Sequence, residues 1–160
     1  MIRLVDEADA QAICHIYNYY VCNTFVTFEE EPVAPDEMAQ RIRATVPIFP
    51  WVVLENAGEI AGYAYASRWK TRSAYRYAAE LTIYLAPTAT GQGFGSRLYE
   101  HLIADLRDRS LHCLIGGVAL PNAASVALHE KFGFVKVAHF KQVGWKFNQR
   151  IDVAYWELIF

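Results

Sequence analysis

An excess of positive charge, paired cysteines and a long apolar run are all missing from this chain of 160 residues. Its 15 Lys and Arg are set against 17 Asp and Glu, a formal net charge of −2, which argues against a general nucleic-acid or membrane-surface binder. No apolar stretch reaches transmembrane length. The first residues, MIRLVDEADA, carry acids and lack the basic-then-apolar profile of a secretory signal. Cys14, Cys22 and Cys113 are odd in number and show no C-x-x-C spacing, so free thiols in a reducing cytoplasm are expected, with neither a disulfide framework nor a metal site. No repeat, low-complexity tract or composition break marks a linker, and one domain over residues 1–160 is expected. What is present is ordinary for a soluble core-forming sequence: 54% hydrophobic and 20% charged residues, long enough to bury a substantial core.

The pattern along the chain predicts a short strand over Ile2–Val5 and a helix capped by Asp6. An aromatic, irregular stretch over Asn23–Glu31 follows, then a helix opened by Pro35 and stopped by Pro47. Trp51–Glu55 and Ile60–Ser67 read as a hairpin around Asn56-Ala57-Gly58. Trp69–Tyr77 reads as a basic loop, and Leu81–Leu85 as a strand rich in β-branched and aromatic residues. Beyond the turn at Pro87, Gly91-Gln92-Gly93-Phe94-Gly95-Ser96 opens a helix. Leu98, Tyr99, Leu102, Ile103 and Leu106 form its apolar face; Arg97, Glu100, His101, Asp105 and Asp108 lie opposite. A strand at Cys113–Val118, a helix at Asn122–Lys131, strands at Phe134–Phe140 and Gly144–Phe147, and a last strand at Ile151–Ile159 complete the series. Hairpins interspersed with helices imply an α/β fold: a mixed, largely antiparallel twisted sheet flanked by helices.

Strand, glycine loop and helix N-terminus in succession make a preformed anion site. The glycines let a ligand approach the backbone, unpaired N–H groups point at it, and the helix dipole favours its charge. No Lys-Ser/Thr follows the glycines, which excludes a Walker loop. The G-x-G-x-G spacing is also a poor dinucleotide fingerprint. Taken alone, the loop is equally compatible with a helix start that needs flexible residues.

A second motif gives it force. Pro121–Phe134 contains N-x-x-S-x-x-L-H-x-x-x-G-F, in which Asn122 can cap a helix and Gly133 can end it in the αL conformation. Together the two motifs resemble the GNAT superfamily of acetyl-coenzyme A-dependent N-acetyltransferases. Within it, the chain looks most like the phosphinothricin and methionine sulfoximine/sulfone acetyltransferase branch. The resemblance covers nearly the whole chain and rests on NTFVTFEEEP, RWKTRSAYRYAAELTIYL, GQGFGS, LPNAASVALHEKFGF and VGWKFNQRIDVAYW. Two positions depart from the wider superfamily. Thr90 stands where the loops usually begin with Arg or Gln, and His129 stands where many members have Tyr.

The resemblance implies acetyl-CoA as cosubstrate, a small amino-acid-like acceptor and a homodimer. It assigns the pyrophosphate to Gly91, Gln92, Gly93, Phe94, Gly95 and Ser96. The pantetheine arm would lie along Ile83, Tyr84 and Leu85, whose backbone could also hold an oxyanion. Asn122, Ser125 and Lys131 are expected to contact the pantetheine and phosphates. Glu80 is implied as general base, sharing a strand face with Thr82 and Tyr84 if no bulge intervenes. His129 is implied as partner of the leaving thiolate. Arg68, Lys70, Arg72 and Arg76 form a run with no acid between Ser67 and Ala79. Lys70 and Arg72 are expected at the substrate carboxylate and side-chain oxygens, with Tyr75 closing over the side chain and Thr27 and Phe28 lining the pocket. From the residues alone, Glu80 could equally be a solvated strand-end acid, His129 a structural residue and the basic run solvated surface. A peptide N-terminus or an unrelated amine as acceptor, or a non-catalytic CoA-binding module, are the competing readings. Retention of both Glu80 and His129 argues against the last.

Overall fold

A computed structural model describes residues 1–160. In chain order the elements are β1 (Ile2–Leu4), α1 (Ala10–Asn23), α2 (Pro35–Thr45), β2 (Trp51–Asn56), β3 (Glu59–Arg68) and β4 (Ala78–Leu85). Then come α3 (Phe94–Asp108), β5 (Cys113–Leu120), α4 (Ala123–Lys131), β6 (Val135–Lys146) and β7 (Gln149–Ile159). The strands form one seven-stranded sheet in the order β1-β2-β3-β4-β5-β7-β6. Every neighbouring pair is antiparallel except β4 and β5. This is the mixed, largely antiparallel arrangement expected from the sequence.

Alternation along the strands splits the interior in two. Val52, Leu54, Ala64 and Leu81 pack with the apolar stripe of α3 (Leu98, Tyr99, Leu102, Leu106) and with Phe134 and Trp156. Trp51, Val53 and Tyr63, on the other face, pack with Ile13, Ile16, Tyr17 and Val21 of α1 and Met38 and Ile42 of α2. Pro35 occupies the first turn of α2, with Asp36 and Glu37 beside it at the positive end of the helix dipole.

Local chemistry moves several boundaries. Asp6 caps a single 3-10 turn, Glu7–Asp9, and α1 begins only at Ala10. Asp9 is diverted into an ion pair with Arg3 at 2.7 Å. The strands expected separately at Phe134–Phe140 and Gly144–Phe147 are one strand, β6, with register shifts between Lys136 and Ala138 and between Phe140 and Gly144. At the second irregularity Gln142 has φ +54, and its N–H donates to Asp152 Oδ1 at 2.8 Å. That is a bulge held by a side chain from the partner strand. The hairpin turn between β6 and β7 is Phe147-Asn148, both at positive φ, as a tight two-residue turn requires.

Candidate active site

The site begins where the sheet comes apart. β4 and β5 pair only at Ala78↔Cys113, Ala79↔Leu114 and Glu80↔Ile115. Beyond Glu80 the strands diverge, although β4 runs on to Leu85 and β5 to Leu120. Backbone groups of β4 that would otherwise complete a ladder therefore face a gap. A cavity of about 730 Å³ occupies it, lined by Glu80, Thr82, Ile83, Tyr84, Leu85, the glycine loop, and Asn122, Ser125, His129 and Lys131 of the α4 region. The β3–β4 register is unbroken, so Glu80, Thr82 and Tyr84 do share a face.

The glycine loop is built as an open cradle. Gly91 and Gly93 sit at φ +74 and +79, a conformation that glycine adopts without strain, and Gly93 is the N-cap of α3. None of the backbone N–H groups of Gly91–Ser96 finds a partner in the chain. They are free donors at the positive end of a helix. Gly91, Gly93, Gly95 and Ser96 line the cavity, whereas Gln92 does not. The Gln92 side chain turns back to donate to the Thr88 carbonyl at 2.9 Å. The Phe94 side chain is buried in the core. Both residues can therefore offer only backbone to a ligand. Thr90 donates locally to the Pro87 carbonyl at 3.0 Å. A positive charge reaches the loop by another route: Lys131 Nζ donates to Ser96 Oγ at 2.8 Å.

Glu80 is half-buried at the fork of the sheet. A side chain at Gly117 would press on Glu80 Oε1 at 3.3 Å, so this glycine makes room for the carboxylate. Burial raises the Glu80 pKa above the ordinary carboxylate value, with the charge of Lys70 opposing it. Glu80 also lines a second, mainly apolar cavity of about 490 Å³ with Val26, Phe28, Ala119, Phe140, Val143, Val153 and Tyr155. One carboxylate thus stands between two cavities.

His129 is buried, at 3% exposure. Nδ1 lies 2.7 Å from the Ser125 carbonyl, which can only accept, so Nδ1 carries the ring proton. Nε2 is then a lone pair, and it accepts from the Tyr99 hydroxyl at 2.9 Å. Burial lowers the His129 pKa, which keeps the ring neutral. The Nε2 lone pair of His129, expected as partner of the leaving thiolate, is thus engaged by the Tyr99 hydroxyl in this structure.

Thr27 is buried, with Oγ1 2.8 Å from the Tyr17 hydroxyl, and lines the larger cavity. Of the basic loop, Lys70 is the residue brought electrostatically to Glu80. It lies over the Trp69 ring, which meets Tyr155 edge-on. Lys70, Arg72 and Tyr75 are exposed and line neither of the two cavities.

Residues 2–155 match the profile of the acetyltransferase (GNAT) domain. The chain belongs to this family. It is 34% identical to the L-methionine sulfoximine/L-methionine sulfone acetyltransferase of Salmonella typhimurium, over 98% of this chain and 92% of the relative. A GNAT superfamily phosphinothricin acetyltransferase from Sinorhizobium meliloti, solved in complex with acetyl-CoA, superposes with a TM-score of 0.96. It is 34% identical, and the match covers 99% of this chain and 87% of that one. A ribosomal-protein-alanine N-acetyltransferase from Brucella melitensis superposes at 0.97 with 36% identity, covering 100% and 99%.

Two glycines of this acetyltransferase escaped the sequence reading. Gly116 and Gly117 sit side by side in β5; a Cβ at 116 would overlap the His129 ring, and one at 117 would crowd Tyr155 and Glu80. Paired glycines inside a buried strand were a legible signal of close approach on both faces.

Proposed function

We propose that this acetyltransferase uses acetyl-CoA to acetylate the α-amino group of a small amino acid with a tetrahedral oxygenated side chain, of the phosphinothricin or methionine sulfone type. The observation that carries the reading is the position of Glu80 between a groove rimmed by unpaired glycine-loop N–H groups and a compact apolar cavity. An α-ammonium must lose a proton before it can attack a thioester. A partly desolvated carboxylate with a raised pKa is a stronger base for that step, acting directly or through one water. The diverging edge of β4 offers backbone N–H groups to the oxyanion that forms on attack. Gly91–Ser96 would take the pyrophosphate, with Lys131 supplying charge that Thr90 cannot. Asn122 accepts with Oδ1 in capping α4 and still has its amide N–H donors, so both it and the Ser125 hydroxyl could meet the pantetheine. His129, with its tautomer fixed, holds Tyr99 rather than delivering a proton. Lys70, whose charge is felt at Glu80, would attract the substrate carboxylate.

Thiol release from acetyl-CoA tests this on a panel of phosphinothricin, methionine sulfone, methionine sulfoximine, methionine and an alanine-initiated peptide. The reading expects turnover of the oxygenated amino acids well above methionine and the peptide. Peptide turnover in their place would transfer the assignment to the ribosomal-protein type of acceptor.

A further inference from the structure

At the end of β6 stands Lys146, a lysine at 1% exposure with no carboxylate within salt-bridge distance. An ammonium so placed loses hydration and needs partners. Its hydrogen bond goes to the carbonyl of Thr27 at 2.8 Å, 119 residues away in sequence. Gly144, two residues earlier on the same face of β6, is likewise buried. A side chain there would overlap the ring of Phe28. Two neighbouring positions on one strand thus receive two consecutive residues of the irregular segment between α1 and α2.

Other anchors of that segment, Thr27 to Tyr17, Val33 to Asn18 and Glu29 to Arg41, tie it to the two helices. Gly144 and Lys146 tie it to β6, whose Phe140 and Val143 form the facing wall of the cavity that Glu80 shares with Phe28. We propose that Gly144 and Lys146 are positioning residues for acceptor choice: they seat Thr27 and Phe28 on β6 and so fix the width of the apolar cavity beside Glu80. The inference rests on reading that cavity as the acceptor site.

The test uses Lys146→Met, Gly144→Ala and Phe28→Ala in the full chain, with amide exchange in the free protein and kinetics on methionine sulfone. In Lys146→Met, exchange over residues 24–33 should quicken while α3 and β5 stay protected. KM for methionine sulfone should rise by about tenfold, and KM for acetyl-CoA should hold. The melting temperature should not fall, because a buried charge has been replaced by an apolar chain of similar length. Gly144→Ala should reproduce the acceptor effect in the wild-type background and lose it in the Phe28→Ala background, because the ring it displaces is gone. Unchanged exchange and KM in Lys146→Met, or a Gly144→Ala effect that simply adds to Phe28→Ala, would overturn the proposal. If the wild-type protein does not turn over methionine sulfone, the functional reading fails separately. The exchange of residues 24–33 then decides the seat alone, faster exchange supporting it and unchanged exchange overturning it.

Discussion

Glu80, proposed above as the general base, carries a cost in stability. Its pKa is raised by burial, so the folded protein holds this proton more tightly than the unfolded chain does. Between the ordinary carboxylate value and the raised one, the native state binds more protons, and stability falls as pH rises through that window. Above it the full cost of a buried charge is present. Glu80→Gln should therefore melt at the same temperature as the wild type in acid and at a higher temperature at neutral pH, read by calorimetry at both. A lower melting temperature at neutral pH would mean that the carboxylate is a structural anchor. His129 shows how far residue identity alone carries. The sequence marked the position, but the direction of its hydrogen bonds depends on the Ser125 carbonyl and on Tyr99, 30 residues away, and no local pattern contains that.

Among the elements, those with a strong period or a defined cap were legible. The stripe of α3 is buried as its spacing predicts, and Asn122 caps α4 with its side chain accepting from Ser125 N–H at 3.1 Å. The bulge at Gln142 was hidden, because it is imposed from β7 by Asp152. The reach of Lys146 to Thr27 was hidden for the same reason. Also out of view was the parting of β4 from β5, which comes from pairing partners and not from either strand's composition. The glycine loop lies on the legible side and yields a clear expectation. Gly93 has open space around a hypothetical Cβ but a φ of +79, so Gly93→Val fails through the backbone and not through a clash. By calorimetry it should lose about tenfold or more in acetyl-CoA affinity, since displaced N–H donors no longer converge on the pyrophosphate. Unchanged affinity would remove the loop from the cosubstrate site.

At the scale of the whole molecule, β6 is a sheet edge with an apolar surface. Val135, Val137, Val143, Trp145 and Phe147 are each at least half exposed, more apolar area than an edge strand ordinarily leaves to water. The aromatic C-terminal region divides, with Trp156 buried in the core and Trp145 and Phe147 outside. We propose that a second copy covers this face. Light scattering at micromolar concentration should give twice the 18.2 kDa chain mass, and Val143→Glu should give the chain mass alone. A monomeric wild type would contradict the proposal. No helix is long and apolar enough to cross a membrane. The proposed role of Glu80 is to remove the proton from an acceptor amine as acetyl-CoA is consumed. It is tested most directly by kcat for thiol release with methionine sulfone, wild type against Glu80→Gln, across pH. A loss of about 10²–10⁴-fold is expected at neutral pH, as for a general base, with partial recovery as alkaline pH deprotonates the amine without help. A near-normal kcat for Glu80→Gln at neutral pH would place the base elsewhere.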